Sequence, residues 1–295
     1  MDPTAIIYDQ ARHVWLHFTQ PEKIISAHKN EDVIPALEEI QEHVDQEKSY
    51  AVGFVSYDAA NAFDNALVTH TSDSFPLLWF AIYNKADNYS LPPVLQRPDG
   101  LDLSSDWTPS ITEDDYHAAI KKIKNYISSG DTYQVNFTLR LTKQFTEIPF
   151  EFFLNMTRAQ NAAYPAYIDT DAWTVASASP ELFFTLDKDT LTTCPMKGTI
   201  ERGLTWEEDQ ENKQYLRHSR KEKTENVMIV DMARNDLGRI AETGSVKVPE
   251  LFTAEKYPTV WQMTSKVQCR TQAALPNIFR ALFPAASITG APKTR

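Results

Sequence analysis

The sequence predicts an α+β protein whose sheets are antiparallel, and three stretches carry that expectation. Residues 1–85 mix short apolar strands, such as "YAVGFVSYD" (50–58) and "FPLLWFAIY" (75–83), with one helical pattern, "DVIPALEEIQEHVDQ" (32–46). Residues 163–196 read as short strands, "AYPAYID", "AWTVASA", "ELFFTLD" and "TLTTCPM", joined by DT and DKD turns that suit hairpins. From Trp206 to Ala233 neither Gly nor Pro interrupts a long helical pattern, which runs on into "RNDLGR". A length of 295 residues with 42% hydrophobic content is enough to core one large domain or two of ordinary size.

Taken in order, residues 1–85 form a first α+β region. Residues 86–110, "ADNYSLPPVLQRPDGLDLSSDWTPS", are rich in Pro, Ser and Asp and lack periodicity, so they read as a connector, with a boundary near residue 110. Residues 111–295 form the second unit. It opens with Thr112 as helix cap and Asp115 three residues on, followed by apolar positions at Tyr116, Ala119, Ile120, Ile123 and Ile127 and a stop at Gly130. The next stretch, "DTYQVNFTLRLT" (131–142), alternates strictly. Tyr133, Val135, Phe137, Leu139 and Leu141 fall on one face, and Gln134, Asn136, Thr138 and Arg140 on the other, which predicts a strand with a polar face. A further helix is expected over "PFEFFLNMTRAQ" (149–160). No internal repeat or coiled-coil pattern is present.

Composition narrows the chemistry. A formal charge of −11 with no long basic run argues against a nucleic-acid partner. The longest apolar run (75–83) is too short to cross a bilayer, and "MDPTAIIYDQ" has no basic segment before an apolar one, so a cytoplasmic protein without a membrane partner is expected. Cys194 and Cys269 stand far apart with no CxxC spacing, which points to buried small hydrophobes and away from zinc or a disulfide framework. There is no HExxH, no GxSxG and no GxxxxGK[ST].

Three local patterns could carry chemistry, and each has a plain alternative. In "SASPELFFTLDKDTLTTCPMKGTIERG" (177–203), Glu181 and Lys197 lie sixteen residues apart, as a working pair or as two charges of a hairpin facing water. In "KEKTENVMIVD" (221–231), Glu222 and Glu225 share a helix face and could hold a divalent cation, or form a solvated face with Lys221 and Lys223. In "FPAASITGAPKTR" (283–295), a Thr-Gly turn could receive a carboxylate on its backbone N–H groups, or simply turn the chain.

Together the segments "SGDTYQVNFT", "SASPELFF", "CPMKGTIERG", "KEKTENVMIVDMARNDLGR", "GSVKVPELFTAEKYPTVWQMTS" and "FPAASITGAPK" occur in the order found in the chorismate-utilising enzymes. The chain resembles that family, and within it the aminodeoxychorismate synthase branch. The likeness covers essentially everything after residue 110, and "AVGFVSYDAANAFD" (51–64) is similar to the family's amino-terminal part. It implies antiparallel sheets packed together with helices outside, chorismate as substrate, Mg²⁺ as cofactor, and ammonia delivered by a separate glutamine amidotransferase subunit.

By the same resemblance, Glu181 matches the family's general acid/base, which needs a carboxyl made less acidic by its pocket. Lys197 matches the nucleophile that attacks ring carbon C2 and lets ammonia enter at C4, which needs a partly neutral amine. Anthranilate synthases, the nearest alternative, carry a small residue there. Isochorismate and salicylate synthases carry a water-activating lysine where this chain has Gln134, a substrate-side position. Glu225 and Glu222 match the Mg²⁺-binding helix, and Thr289 and Gly290 the loop lining the substrate pocket. Gln262 stands where several relatives have histidine and is given no role.

Family members continue past "ITGAPK" with a strand bearing an arginine for a substrate carboxylate, a Gly-rich loop and a helix whose glutamate completes the metal site. The expectation is therefore a catalytic domain incomplete at its carboxyl end. Two hypotheses follow: an aminodeoxychorismate-forming enzyme when full length, or a shortened non-catalytic chain that keeps substrate or partner binding.

Overall fold

The computed structural model describes residues 2–70, 75–92 and 107–293. Most of the expected connector, residues 93–106, lies outside them. Three antiparallel sheets organise the chain. The first runs Thr174–Ser179, Tyr164–Asp169, Thr4–Asp9, Val14–Phe18, Asp87–Tyr89, and so joins strands from either side of the 86–110 stretch. The second orders Lys23–Ala27, Leu78–Tyr83, Tyr50–Val55. Their facing sides bury Ala5, Phe18, Trp79, Tyr83 and Ile168, the packing of a sandwich.

Helices cover the outside. Helix α1 (Asn30–Glu47) lays Val33, Leu37 and Ile40 on the three-stranded sheet. Helix α2 (Ala60–Phe63) adds Phe63 to the same cluster. Helix α3 (Glu113–Ser128) starts at Thr112, whose hydroxyl accepts from the Asp115 N–H, as the sequence predicts. It is amphipathic, yet none of its residues is buried. Helix α4 (Pro149–Gln160) packs Phe153 and Leu154 against Ile6 and Tyr167 on the outer face of the first sheet.

The third sheet carries the site. Its longest strand, Val260–Arg270, pairs with Thr190–Cys194, with Met196–Glu201 and with Lys247–Lys256, and Leu182–Asp187 adds to Thr190–Cys194. Helices α5 (Trp206–His218), α6 (Arg220–Gly238) and α7 (Leu275–Leu282) flank it. Val230 and Leu237 of α6 meet Leu191, Val267, Ile278 and Leu282 in one core. This is the antiparallel α+β architecture the sequence predicts. No helix among the described residues is long and apolar enough to cross a membrane.

Two of the longer expected elements differ in extent. The helical run from Trp206 breaks at Ser219, which has an extended ψ of 119° and caps α6 by accepting from the Glu222 N–H. A serine that can bond the next turn's backbone ends one helix and starts another without Gly or Pro. The strand over 131–142 is pared to Gln134–Val135, paired with Gly290–Ala291, and Leu141–Thr142, paired with Thr108–Pro109. Its apolar face has no sheet to pack on: Tyr133 is 72% and Leu141 54% exposed. Alternation alone does not make a ladder where that face finds no core.

Candidate functional site

Lys197 sits in a distortion of the strand Met196–Glu201, where the register against Val260–Arg270 shifts between Met196 and Thr199. Gly198 makes the distortion, with φ of +101°, and a Cβ there would stand 3.2 Å from Glu222 Oε2. The neighbouring helix fixes the bulge from behind: buried Asn226 donates through Nδ2 to the Lys197 carbonyl at 3.1 Å and accepts from Ser265 at 2.6 Å. The Lys197 backbone is thus held between α6 and the central strand, and its side chain turns away to donate to Asn136 Oδ1 at 3.3 Å.

Glu181 lies just before the strand Leu182–Asp187. Its Oε1 accepts from the Ser287 hydroxyl at 2.6 Å and from the Met196 N–H at 3.3 Å. Burial raises the Glu181 carboxyl above its ordinary value, opposed by the Ser287 and Met196 hydrogen bonds and by the charge of Lys197. A carboxyl so placed keeps its proton to higher pH than one in water.

The turn expected at "SITGAP" is a short ladder. Gly290 and Ala291 pair with Val135 and Gln134, Asn136 N–H donates to the Thr289 carbonyl at 2.8 Å, and Tyr133 N–H to that of Ala291 at 2.8 Å. A Cβ on Gly290 would fall 2.3 Å from the Gln134 carbonyl oxygen, so only glycine fits. The Thr289 hydroxyl is spent on the Ala285 carbonyl at 3.2 Å. Gln134 donates through Nε2 to Asn136 Oδ1 at 3.4 Å, and its buried Oε1 has no partner among the described residues. An oriented, unsatisfied acceptor beside the lysine is a group in want of a donor.

Glu181, Lys197, Gln134, Thr289 and Gly290 therefore converge, linked by two residues that the sequence did not single out for the site. Asn136 stood only among the polar-face positions of its strand, and Ser287 had no signal of its own. Glu222 approaches from the far side of Gly198, and Glu225 follows one turn on. Lys221 pairs with both, at 3.5 and 3.8 Å. No third carboxylate, histidine or cysteine gathers there among the described residues. Glu222, whose Oε2 lies 3.2 Å from where a Cβ on Gly198 would stand, and Glu225 are donors of the kind Mg²⁺ takes, one or two protein carboxylates with its other positions left for water and substrate.

A cavity of about 310 Å³ borders Glu181 and is lined by Phe183, Ile229, Leu282 and Phe283 with Asp236 and Ser287. Of the residues expected in the site, only Glu181 borders it. Gln262 accepts from the Thr199 hydroxyl at 2.6 Å, next to the bulge. The segment after Gly290 is anchored by Lys293, which bonds Asp236 at 2.5 Å and the Leu282 carbonyl at 3.0 Å. Neither Cys194 nor Cys269 is in a disulfide.

A family model described as chorismate binding enzyme matches residues 3–295. The chain is 42% identical over 195 residues to aminodeoxychorismate synthase component 1 of Klebsiella aerogenes, covering 65% of this chain and 43% of that protein. It is 32% identical over 282 residues to the protein of the same name in Bacillus subtilis, covering 83% and 60%. With anthranilate synthase component 1 of Aquifex aeolicus it shares 36% over 191 residues, covering 64% and 39%. The chain spans about half the length of the curated relatives it matches. Among solved structures, anthranilate synthase component I of Streptococcus pneumoniae superposes with a TM-score of 0.74 at 22% identity, over 99% of this chain and 72% of that one. The menaquinone-specific isochorismate synthase of Escherichia coli gives 0.66 at 13%, over 99% and 70%.

Proposed function

Because the chain belongs to the chorismate binding enzyme family, we propose that its site aminates chorismate at C4, giving 4-amino-4-deoxychorismate for para-aminobenzoate and folate synthesis. The observation that carries this is Lys197, held at a glycine bulge and joined through Asn136 and Ser287 to a carboxyl that burial keeps protonated to higher pH. The relatives named aminodeoxychorismate synthase component 1 support it.

In this scheme the neutral Lys197 amine attacks ring carbon C2, the ring double bonds shift, and the C4–O bond breaks. Glu181 gives its proton to the departing oxygen, which leaves as water, and the C2-bound Nζ carries the positive charge as a secondary ammonium. Ammonia then bonds to C4, the double bonds shift back, and the C2–Nζ bond breaks, releasing Lys197 as the neutral amine. The Glu181 carboxylate takes the proton that the incoming amine sheds. Gln134, with its free acceptor, and the backbone at Thr289 and Gly290 would orient the substrate. Glu222 and Glu225 would hold Mg²⁺, which supplies positive charge opposite the substrate's carboxylates. The partners of this proposal are a glutamine amidotransferase subunit as the source of ammonia, and the setting is the cytoplasm.

The test is chromatography of a reaction with chorismate, ammonium and Mg²⁺. Ammonia-dependent loss of chorismate with appearance of 4-amino-4-deoxychorismate is expected. Anthranilate as the product, or no ammonia-dependent loss, would overturn the proposal.

A further inference from the structure

We propose that Asn136 is a positioning residue that sets the Lys197 amine and the Glu181 carboxyl in one frame, an inference that rests on the C4-amination scheme. Three bonds of its side chain reach distant parts of the sequence or a neighbouring polar group. Nδ2 donates to the Ser287 carbonyl at 2.6 Å, and Oδ1 accepts from Lys197 Nζ at 3.3 Å and from Gln134 Nε2 at 3.4 Å. The same Ser287 donates its hydroxyl to Glu181 Oε1. One amide thus joins the nucleophile to the residue that orients the acid.

The orientation of that amide is dictated. Turning it over would press Oδ1 against the Ser287 carbonyl at 2.6 Å and turn the amide's donors toward Lys197 and Gln134, which are donors themselves. Its backbone is pinned by the bond from Asn136 N–H to Thr289. An asparagine with a purely local task bonds its own backbone neighbours, whereas this one spans 61 and 151 residues of sequence.

The residue type also matters. A neutral carbonyl accepts from the lysine in either protonation state and favours the ammonium only modestly, whereas a carboxylate there would pair with the ammonium and hold it charged. Asn136 therefore aims a lysine that has to lose a proton to react.

The test reads the amine directly and needs no turnover. Lys197 acylation by acetic anhydride at fixed pH is followed by peptide mass spectrometry and normalised to the exposed Lys188. Asn136→Ala removes the acceptor and should raise the ratio about tenfold. Asn136→Asp supplies a charged acceptor and should lower it about tenfold, the difference expected between no hydrogen bond, a neutral one and a charge-assisted one. A purely structural asparagine would loosen the site in both variants and raise the ratio in both. That result, or no change in either, overturns the inference. Should Asn136→Ala fail to fold, the fall in Asn136→Asp alone decides, because unfolding cannot produce it. Where the protein turns over, Asn136→Ala should also lower kcat more than it raises KM. Opposite shifts in labelling without chorismate turnover would keep the positioning role and sink the C4-amination scheme. Turnover with unshifted labelling would do the reverse.

Discussion

Replacing Gly290 by alanine tests the ladder on which the site is built. The new methyl would stand 2.3 Å from the Gln134 carbonyl oxygen and 3.3 Å from the Val135 Cα, both backbone atoms that cannot step aside as a side chain would. The two strands must separate by about 1 Å to restore ordinary contact, a strain of about 1–3 kcal/mol by comparison with other overpacked sites. Separation stretches the bonds from Tyr133 N–H and Thr132 Oγ1 to the Ala291 carbonyl and from Asn136 N–H to Thr289, all at 2.8 Å. Weakening two of these adds about 1–2 kcal/mol. The total is a destabilisation of about 2–5 kcal/mol, to be read from urea unfolding. Amide hydrogen exchange locates it, with Tyr133 and Asn136 losing protection while the core of the Val260–Arg270 strand keeps its own. A change below about 0.5 kcal/mol with both amides still protected would refute the reasoning.

Other perturbations follow from the same geometry. Glu181→Gln keeps the oxygen that accepts from Ser287 and Met196 but cannot titrate. Because burial raises the native carboxyl above 4.5, its contribution to stability is full below that pH and is lost as pH rises through the raised value. The variant should therefore gain on the wild type in urea midpoint as pH is raised from 4 toward 8 (working range ~4–8), while chorismate turnover falls by ~10²–10⁴. Parallel midpoints would contradict the assigned environment. Lys293→Met leaves the buried Asp236 carboxylate without its partner at 2.5 Å and should cost about 3–5 kcal/mol, whereas Lys29→Met on the surface should cost under about 0.5. Equal losses in the two would show that the Asp236–Lys293 pair does not anchor the segment after Gly290.

What could be read in the sequence was whatever is fixed locally. The apolar spacing of α1 and α4, the Thr112 cap and the hairpin turns of 163–196 announce themselves within a few residues of the element they build. Glu181, Lys197, Gln134, Thr289 and Gly290 were expected by resemblance, Asn136 and Ser287 were not, and the convergence of all seven through bonds is a property of the fold. The rest depended on contacts that no local pattern encodes. Ser219 looks like any helical serine until its hydroxyl meets the Glu222 N–H. Strict alternation over 131–142 predicted a full strand, but a strand requires a neighbour, and only Gln134–Val135 and Leu141–Thr142 have one. Asn136 and Ser287 are linked across 151 positions, and Asp236 finds Lys293 only once α6 and the final ladder have packed.

The central claim is that Lys197 bonds covalently to the substrate, and the most direct test is its mass. The protein would be mixed with chorismate and Mg²⁺ without ammonia, quenched, digested, and the peptide containing Lys197 weighed. The C4-amination scheme predicts that peptide heavier by chorismate less one water, with the adduct discharged on adding ammonium and absent in Lys197→Ala. An unmodified Lys197 peptide under conditions that still yield 4-amino-4-deoxychorismate when ammonium is supplied would contradict it.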